Sequence, residues 1–194
     1  MNKLILFSGG LDSTELAWKA LNEGHTVHLL HIIYNHPARH MESLAADVLT
    51  NKLLKLFPDK VKQASLTAPI ISTSMFIGSC SPGPRVVANR NAIFLNIAIN
   101  YAVSNNITHI EYGAVLDDQS DYVDCRQEFI EKINAIAEDW GVVISAPLIG
   151  SSKLDTMKSI PDDIYNSVWS CYEPIDSIKP CGNCNSCRVH PCVT

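Results

Sequence analysis

The sequence contains no run of about 18 consecutive apolar residues, so nothing in it reads as a membrane-spanning helix. Internal repeats and low-complexity tracts are also missing, which excludes collagen-like and disordered architectures. Basic charge is in short supply: 15 Lys and Arg stand against 20 Asp and Glu, for a formal net charge of −5. Such a chain has no overall field to recruit nucleic acid by counterion release, and no direct nucleic-acid partner is expected. A Gly-x-x-x-x-Gly-Lys-Ser/Thr motif is absent, which disfavours Walker-type phosphoryl transfer. Met1 leads straight into Lys3-Leu4-Ile5-Leu6-Phe7 without the basic, apolar and small-residue regions of an export signal, so a cytoplasmic location is expected. What is present is ordinary globular material: 194 residues, 46% hydrophobic, with a mean hydropathy of +0.06.

Short apolar runs alternate with helical periodicity. Residues 3–7 read as a buried strand, 12–23 as a helix capped by Asp12 or Ser13 and stopped at Gly24, 26–33 as a strand, and 41–57 as a helix closed by Pro58. A third strand is expected over 61–66. After the Ser/Pro/Gly stretch Ser79–Pro84, the pattern gives a helix over 91–103, a strand over 107–114, a helix over 127–140 and a last strand over 142–145. Alternation of this kind predicts an α/β fold with a parallel sheet between two helical layers and a ligand at the strands' C-terminal ends. Residues 1–150 form that domain in this reading, and 151–194 form a polar, cysteine-containing segment packed on it.

Ser8-Gly9-Gly10-Leu11-Asp12-Ser13 lies between the first strand and the first helix. Glycines allow close backbone approach, and helix N-terminal N–H groups favour an anion there. Ser8, Ser13 and Thr14 add hydroxyl donors, while Asp12 either caps the helix or helps to hold Mg²⁺. A tight turn that binds nothing is the plain alternative. At the other end, Cys181-x-x-Cys184-x-x-Cys187 has metal-ligand spacing, and Cys171 completes a four-thiolate set suited to structural Zn²⁺. Of the seven cysteines, five fall at 171 and beyond, an odd and clustered count that argues against a disulfide scaffold. His190 and Cys192 are alternative fourth ligands. An iron–sulfur centre is a rival, although the proline here precedes Cys192 rather than following it. The histidines 25, 28, 31, 36 and 40 show no zinc-pair spacing and read as packing or loop residues, and Trp18, Trp140 and Trp169 as core or interface.

The loop after the first strand resembles the PP-loop of N-type ATP pyrophosphatases, which cleave ATP between its α and β phosphates. The resemblance sharpens over Val168-Trp169-Ser170-Cys171-Tyr172 and Pro180-Cys181-Gly182-Asn183-Cys184-Asn185-Ser186-Cys187, which look like the C-terminal signature of the 7-cyano-7-deazaguanine synthase (QueC) family. Asp118-Gln119-Ser120-Asp121-Tyr122-Val123-Asp124-Cys125-Arg126, Ala146-Pro147-Leu148 with Lys153, and Arg90-Asn91 with Phe94-Leu95 are similar to further family segments, in the same order. Asp121 stands where the family has glycine, Val123 and Ala88 where it has proline, and Tyr34–Glu42 departs from a Tyr-Gly-Gln-Arg-His-x-x-Glu pattern.

This resemblance implies a three-layer, Rossmann-like PP-loop fold and a C–N-forming ligase acting in the biosynthesis of queuosine or other 7-deazaguanines. ATP would adenylate the carboxylate of 7-carboxy-7-deazaguanine, ammonia would displace AMP to give an amide, and a second ATP would activate the amide oxygen, whose loss with AMP leaves the nitrile, preQ0. It implies ATP contacts from Phe7, Ser8, Gly9, Gly10, Leu11, Asp12, Ser13 and Thr14, Mg²⁺ as a cofactor, and structural Zn²⁺ on Cys171, Cys181, Cys184 and Cys187. Arg90, Lys153 and Arg126 would counter developing charge, Asp118 and Asp124 would contact Mg²⁺ or purine-like N–H groups, and a homodimer is expected. Two alternatives stand beside this: an amide synthase that stops at 7-amido-7-deazaguanine, and a non-catalytic zinc-module binding protein.

Overall fold

The structure, a computed structural model, describes residues 1–69 and 87–189. The Ser79–Pro84 stretch, His190 and Cys192 lie outside the described residues. Five strands, β1 (Asn2–Leu6), β2 (Thr26–Ile33), β3 (Val61–Thr67), β4 (His109–Glu111) and β5 (Val143–Ser145), form one parallel sheet in the order β3-β2-β1-β4-β5. All four pairings are parallel, with Leu4 opposite both His28 and Ile110. The chain winds outward from β1 to β3, then returns to the other side of β1 for β4. That reversal opens a crevice beyond the C-terminal ends of β1 and β4.

Helices cover both faces. On one, α3 (Arg90–Ser104) and α4 (Gln127–Glu138) bring Leu95, Ala98, Ile99, Ile130 and Ile133 against Leu4, Leu30 and Ile110. On the other, α1 (Leu11–Asn22) and α2 (Arg39–Leu56) bring Leu16, Ala17, Leu49 and Leu53 against Ile5, Val27 and Leu29. Consecutive residues of β1 thus enter different cores, as the two-residue period of a doubly covered strand requires. Three short helices follow, α5 (Lys153–Ser159), α6 (Asp162–Tyr165) and α7 (Asn185–Val189). Ile160, Ile164 and Val168 join the same core as Leu16 and Leu49. No helix among the described residues is long and apolar enough to cross a membrane.

Several boundaries differ from the sequence expectations for physical reasons. The expected strand over 107–114 pairs only at His109–Glu111, because its neighbour β5 is three residues long and the chain then turns at Tyr112–Ala114. Neither Asp12 nor Ser13 is the N-cap of α1: Gly10 is, and both lie in the first turn. Helix α4 ends at Glu138, and Trp140 is 63% exposed rather than buried in the core.

Gly9 has φ of +78°, and a Cβ there would stand 2.6 Å from the Ala46 nitrogen and 2.9 Å from the Ala45 carbonyl carbon. The strand-to-helix turn thus rests directly on the backbone of α2. Gly113 also passes close to α1, its Cβ position lying 2.9 Å from Asp12 Cβ. Gly9→Ala therefore combines a strained φ with a backbone clash, and is expected to cost about 2–4 kcal/mol in urea unfolding. Gly150→Ala, with nothing within 4 Å of the new methyl, serves as the control and should stay within about 0.5 kcal/mol of the parent. Equal stabilities for the two variants would contradict this packing.

Candidate active site

The glycine loop is built from carbonyls that are already held. Phe7 N–H donates to Leu30 O at 2.8 Å, and Phe7 O accepts from His31 Nδ1 at 2.9 Å. Burial lowers the pKa of His31, so the ring is neutral and its Nε2 accepts from the Ser43 hydroxyl at 3.0 Å. Gly9 O accepts from Trp169 N–H at 3.0 Å. Gly10 O accepts from Thr14 Oγ1 at 2.8 Å, Ser13 Oγ at 3.1 Å and Thr14 N–H at 3.1 Å. With these oxygens engaged, the first-turn N–H groups of α1, which have no intrahelical acceptor, form an end suited to an anion. Ser8 Oγ accepts from Gly10 N–H at 3.2 Å and lies 3.4 Å from Ser13 Oγ, so both hydroxyls line the same concavity.

The loop forms one end of a cavity of about 630 Å³, within the usual size of small-molecule sites. Ser8, Gly10, Leu11, Asp12 and Ser13 line it, as do Arg90, Asp118, Asp124 and Lys153. These residues come from four separate stretches of chain, joined at the crevice beyond β1 and β4. Lys153 opens α5, where Ser152 and Asp155 form a reciprocal cap. Its N–H donates to Asp117 Oδ2 and its ammonium to Asp118 Oδ1, each at 2.7 Å. Burial works against that charge, but Asp118, with Asp12 and Asp117, more than offsets the penalty and raises the pKa of Lys153. Asp124 accepts from the Asn91 N–H at 3.4 Å, at the start of α3.

Arg90 occupies the opposite end. Its guanidinium donates to Tyr34 Oη at 3.2 Å and lies 5.9 Å over the Phe94 ring. Burial opposes its charge, and Tyr34, Glu42 and Tyr172 together raise its pKa above the ordinary value. Tyr34 stacks on His36 at 4.2 Å and meets Phe94 edge to face at 5.4 Å. Burial pushes the Glu42 carboxyl up to about 7 against the lowering effect of Arg90, and His36, lowered to about 4 by burial and neighbouring cations, stands 3.4 Å from it.

Not every candidate converges here. Gly9 and Thr14 support the loop from behind without lining the cavity. Arg126, expected to counter developing charge, turns away: its guanidinium donates to Gln119 O at 2.8 Å and Ser120 O at 3.4 Å, holding the segment that carries Asp118. Cys125 does line the cavity, but burial, with Asp124 and Asp118 adding, pushes its thiol up to about 12, which keeps it protonated. Sequence reasoning gives no individual site role to Tyr34, His36, Glu42, Phe94, Tyr172 or Ser186, all on the cavity wall. A signal existed for Glu42, the closing carboxylate of the Tyr34–Glu42 segment, and for Tyr172 and Ser186, each adjacent to a cysteine of the cluster.

The sulfur atoms of Cys171, Cys181, Cys184 and Cys187 all lie within 4.8 Å of one another. A tetrahedral ion with bonds of about 2.3 Å separates its sulfurs by about 3.8 Å, so the four thiols fit a metal after small adjustments. Backbone N–H groups already point at the sulfurs: Cys181 N–H at Cys171 Sγ (3.3 Å), Cys184 N–H at Cys181 Sγ (3.2 Å) and Cys187 N–H at Cys184 Sγ (3.4 Å). Such donors stabilise thiolate charge. The cluster can hold a metal ion, with four protein ligands and no open position.

Asp12 is the strained member of the loop. Burial, aided by Asp118, Glu15 and Asp117 and opposed by Lys153, raises its pKa to about 7, and Oδ1 has no hydrogen-bond partner. Between the unfolded value near 3.8 and about 7 the folded state binds the extra proton, so this contribution to stability is present at low pH and lost as pH rises through 7. In magnesium-free buffer Asp12→Asn should therefore be more stable than the parent at pH 8. The advantage should shrink toward pH 5, with a slope of at most about 1.4 kcal/mol per pH unit. A stability difference independent of pH would contradict the buried, protonatable carboxyl.

Comparison with known proteins gives the same picture over the whole chain. The family described as queuosine biosynthesis protein QueC matches residues 2–191. A 7-cyano-7-deazaguanine synthase of Pseudoalteromonas translucida is 32% identical over 203 residues, covering 95% of this chain and 89% of the relative. Another from Pseudoalteromonas atlantica is 34% identical over 200 residues, covering 95% and 89%. One from Archaeoglobus fulgidus is 32% identical over 203 residues, covering 96% and 83%. Among solved structures, a predicted subunit of tRNA methyltransferase from Methanocaldococcus jannaschii superposes with a TM-score of 0.55 at 21% identity, covering 81% of this chain and 73% of that one. The U34-tRNA thiolase NcsA of Methanococcus maripaludis, with its [4Fe-4S] cluster, gives 0.53 at 14% identity, covering 82% and 56%. Those two likenesses show the fold alone. A family match running almost from end to end, with relatives above 30% identity, establishes that the chain belongs to the QueC family.

Proposed function

We propose that the protein converts 7-carboxy-7-deazaguanine and ammonia into 7-cyano-7-deazaguanine at the expense of two ATP, through an amide. The observation that carries this reading is the single cavity joining the glycine loop to an end lined by Arg90, Tyr34, Phe94 and Glu42. A flat heterocycle with N–H donors suits that end, where aromatic faces flank a carboxylate and a guanidinium. The triphosphate takes the other end, its pyrophosphate portion on the hydroxyls and first-turn N–H groups of Ser8 to Ser13. The α phosphate then faces the substrate carboxylate between the two.

Each step balances. A carboxylate oxygen bonds to the α phosphorus and pyrophosphate leaves; ammonia forms the C–N bond and AMP departs with that oxygen. The remaining amide oxygen is adenylated by a second ATP, and its loss with AMP, as the nitrogen gives up its protons, forms the C≡N bond. Arg90 and Lys153 hold the carboxylate and the phosphates by charge, and their burial strengthens both interactions. Asp118 orients the Lys153 ammonium, and Arg126 holds the segment carrying Asp118. Asp12, Asp118 and Asp124 are the carboxylates available to Mg²⁺, which when bound neutralises phosphate charge. Zinc on the four thiolates is structural in this reading, residues 1–150 form the nucleotide-binding domain, and residues 151–194 pack on it, complete the wall and contribute Lys153. The protein acts in the cytoplasm as a homodimer, without nucleic-acid or membrane partners. Asp121 and Val123, the departures from the family pattern that the resemblance brings out, line the cavity and favour a second reading in which turnover stops at the amide.

Incubation with ATP, Mg²⁺, ammonium and 7-carboxy-7-deazaguanine, followed by mass spectrometry, should give the nitrile with two AMP per product. Amide alone with one AMP would support the second reading, and neither product from folded protein would sink both. Arg90→Ala and Lys153→Ala should each lower kcat/KM by roughly 10²–10³-fold, the scale of losing one preorganised charge-stabilising group. Arg126→Ala should cost less than either. X-ray absorption on the purified protein should give four sulfurs around one zinc per chain at about 2.3 Å. Iron with acid-labile sulfide would contradict the zinc assignment.

A further inference from the structure

The cysteine cluster and the glycine loop, far apart in sequence, share a residue. Trp169 N–H donates to Gly9 O at 3.0 Å, while its indole Nε1–H donates to Cys171 O at 2.9 Å, and its ring packs in one small core with Ala45, Cys171 and Cys187. Ala45 belongs to the segment of α2 on which Gly9 rests, so the same contact carries the loop from below. Ser186, between two of the cysteines, is buried and lines the cavity.

The Gly9–Gly10 peptide makes this contact consequential. In a planar trans peptide the C=O and N–H point in opposite directions. Holding the Gly9 carbonyl toward Trp169 therefore aims the Gly10 N–H at the opposite side, where it meets Ser8 Oγ at 3.2 Å inside the concavity. Rotation of that peptide would put a carbonyl oxygen where an anion must sit, and Gly9 and Gly10, lacking side chains, resist such rotation least of all residues. The restraint comes from Trp169, and Trp169 is held by Cys171 and Cys187, two of the four cysteines that can hold a metal.

We infer that Trp169 is a positioning residue through which metal occupancy of Cys171, Cys181, Cys184 and Cys187 sets the phosphate affinity of the glycine loop. The inference rests on the proposed role of that loop in holding ATP. It makes the cysteine cluster part of the nucleotide site's energetics rather than a remote staple. Because coupling between two binding sites is reciprocal, ATP must tighten metal binding by the factor with which metal tightens ATP binding.

The test uses the full chain and zinc. ATP affinity is measured by calorimetry on zinc-loaded and zinc-stripped protein, with far-ultraviolet circular dichroism to establish that the sheet persists. Zinc affinity is measured with and without ATP against a chromophoric chelator that binds zinc far more tightly than ATP does. Stripping should weaken ATP binding by about 5-fold or more, and ATP should strengthen zinc binding by the same factor, within the usual range of site coupling. Trp169→Ala, zinc-loaded, keeps the backbone N–H but loses the ring packing and the indole bond that hold it in place, so it should bind ATP more weakly and bring the coupling factor close to one, while Trp169→Phe, which keeps the ring packing and loses only the indole bond, should retain most of the coupling. If stripped protein unfolds, the zinc-loaded Trp169→Ala protein with parental ATP affinity would overturn the inference by itself. ATP binding that is tight and indifferent to zinc would also overturn it while leaving the proposed function standing. No ATP binding by the zinc-loaded parent would overturn both.

Discussion

The approach of Gly9 to the backbone of α2 is the constraint on which the rest of the site depends. A strand that ends against the side of a neighbouring helix can turn into its own helix only if the turning residue has no side chain and tolerates positive φ, and Gly9 meets both conditions. That turn sets the N-terminus of α1 at the crevice where the sheet order reverses. Gly113 shares only the close approach, its missing side chain letting the segment after β4 run beside Asp12 and deliver Asp117 and Asp118 to the same crevice.

Charge placement follows from that geometry. The loop end gathers Asp12, Asp117, Asp118 and Lys153, and the far end gathers Arg90, Glu42 and the Tyr34–Phe94 aromatic pair. Both ends hold groups whose burial is only partly compensated: Asp12 has an oxygen without a partner, and Glu42 titrates near neutrality. Uncompensated burial costs stability, so such groups are expected where a ligand supplies the missing partner. Arg126 is instructive by contrast. Its guanidinium is spent on two backbone carbonyls, which makes it a brace for the segment bearing Asp118 rather than a group facing the cavity.

Local features were legible in the sequence because they are local. The glycine loop between a buried run and a helical period, the Cys-x-x-Cys-x-x-Cys spacing with Cys171, and the strand–helix alternation all depend on neighbours within a few residues, and each appears in the structure. At the start of α1, Asp12 and Ser13 are good caps by residue type, but the backbone geometry at Gly9 makes Gly10 the N-cap and Leu11 the first helical residue. The length of β4 was overestimated because apolar residues from Ile107 to Ala114 are buried whether or not they pair, and pairing is limited by the shortness of β5. The bond from Trp169 to Gly9 and the stacking of Tyr34 on His36 above Glu42 could not be read at all. The first joins residues 160 positions apart, and the second depends on how the segment after β2 folds back.

In the proposed reaction one cavity seats the phosphates on the glycine loop and the heterocyclic carboxylate beside Arg90. A crystal structure of the protein with α,β-methylene-ATP, Mg²⁺ and 7-carboxy-7-deazaguanine tests it most directly. The β and γ phosphates should lie on Ser8, Gly10 and Ser13, with the substrate carboxylate between the α phosphate and Arg90. A nucleotide bound elsewhere, or a deazaguanine lying on the glycine loop itself, would contradict it.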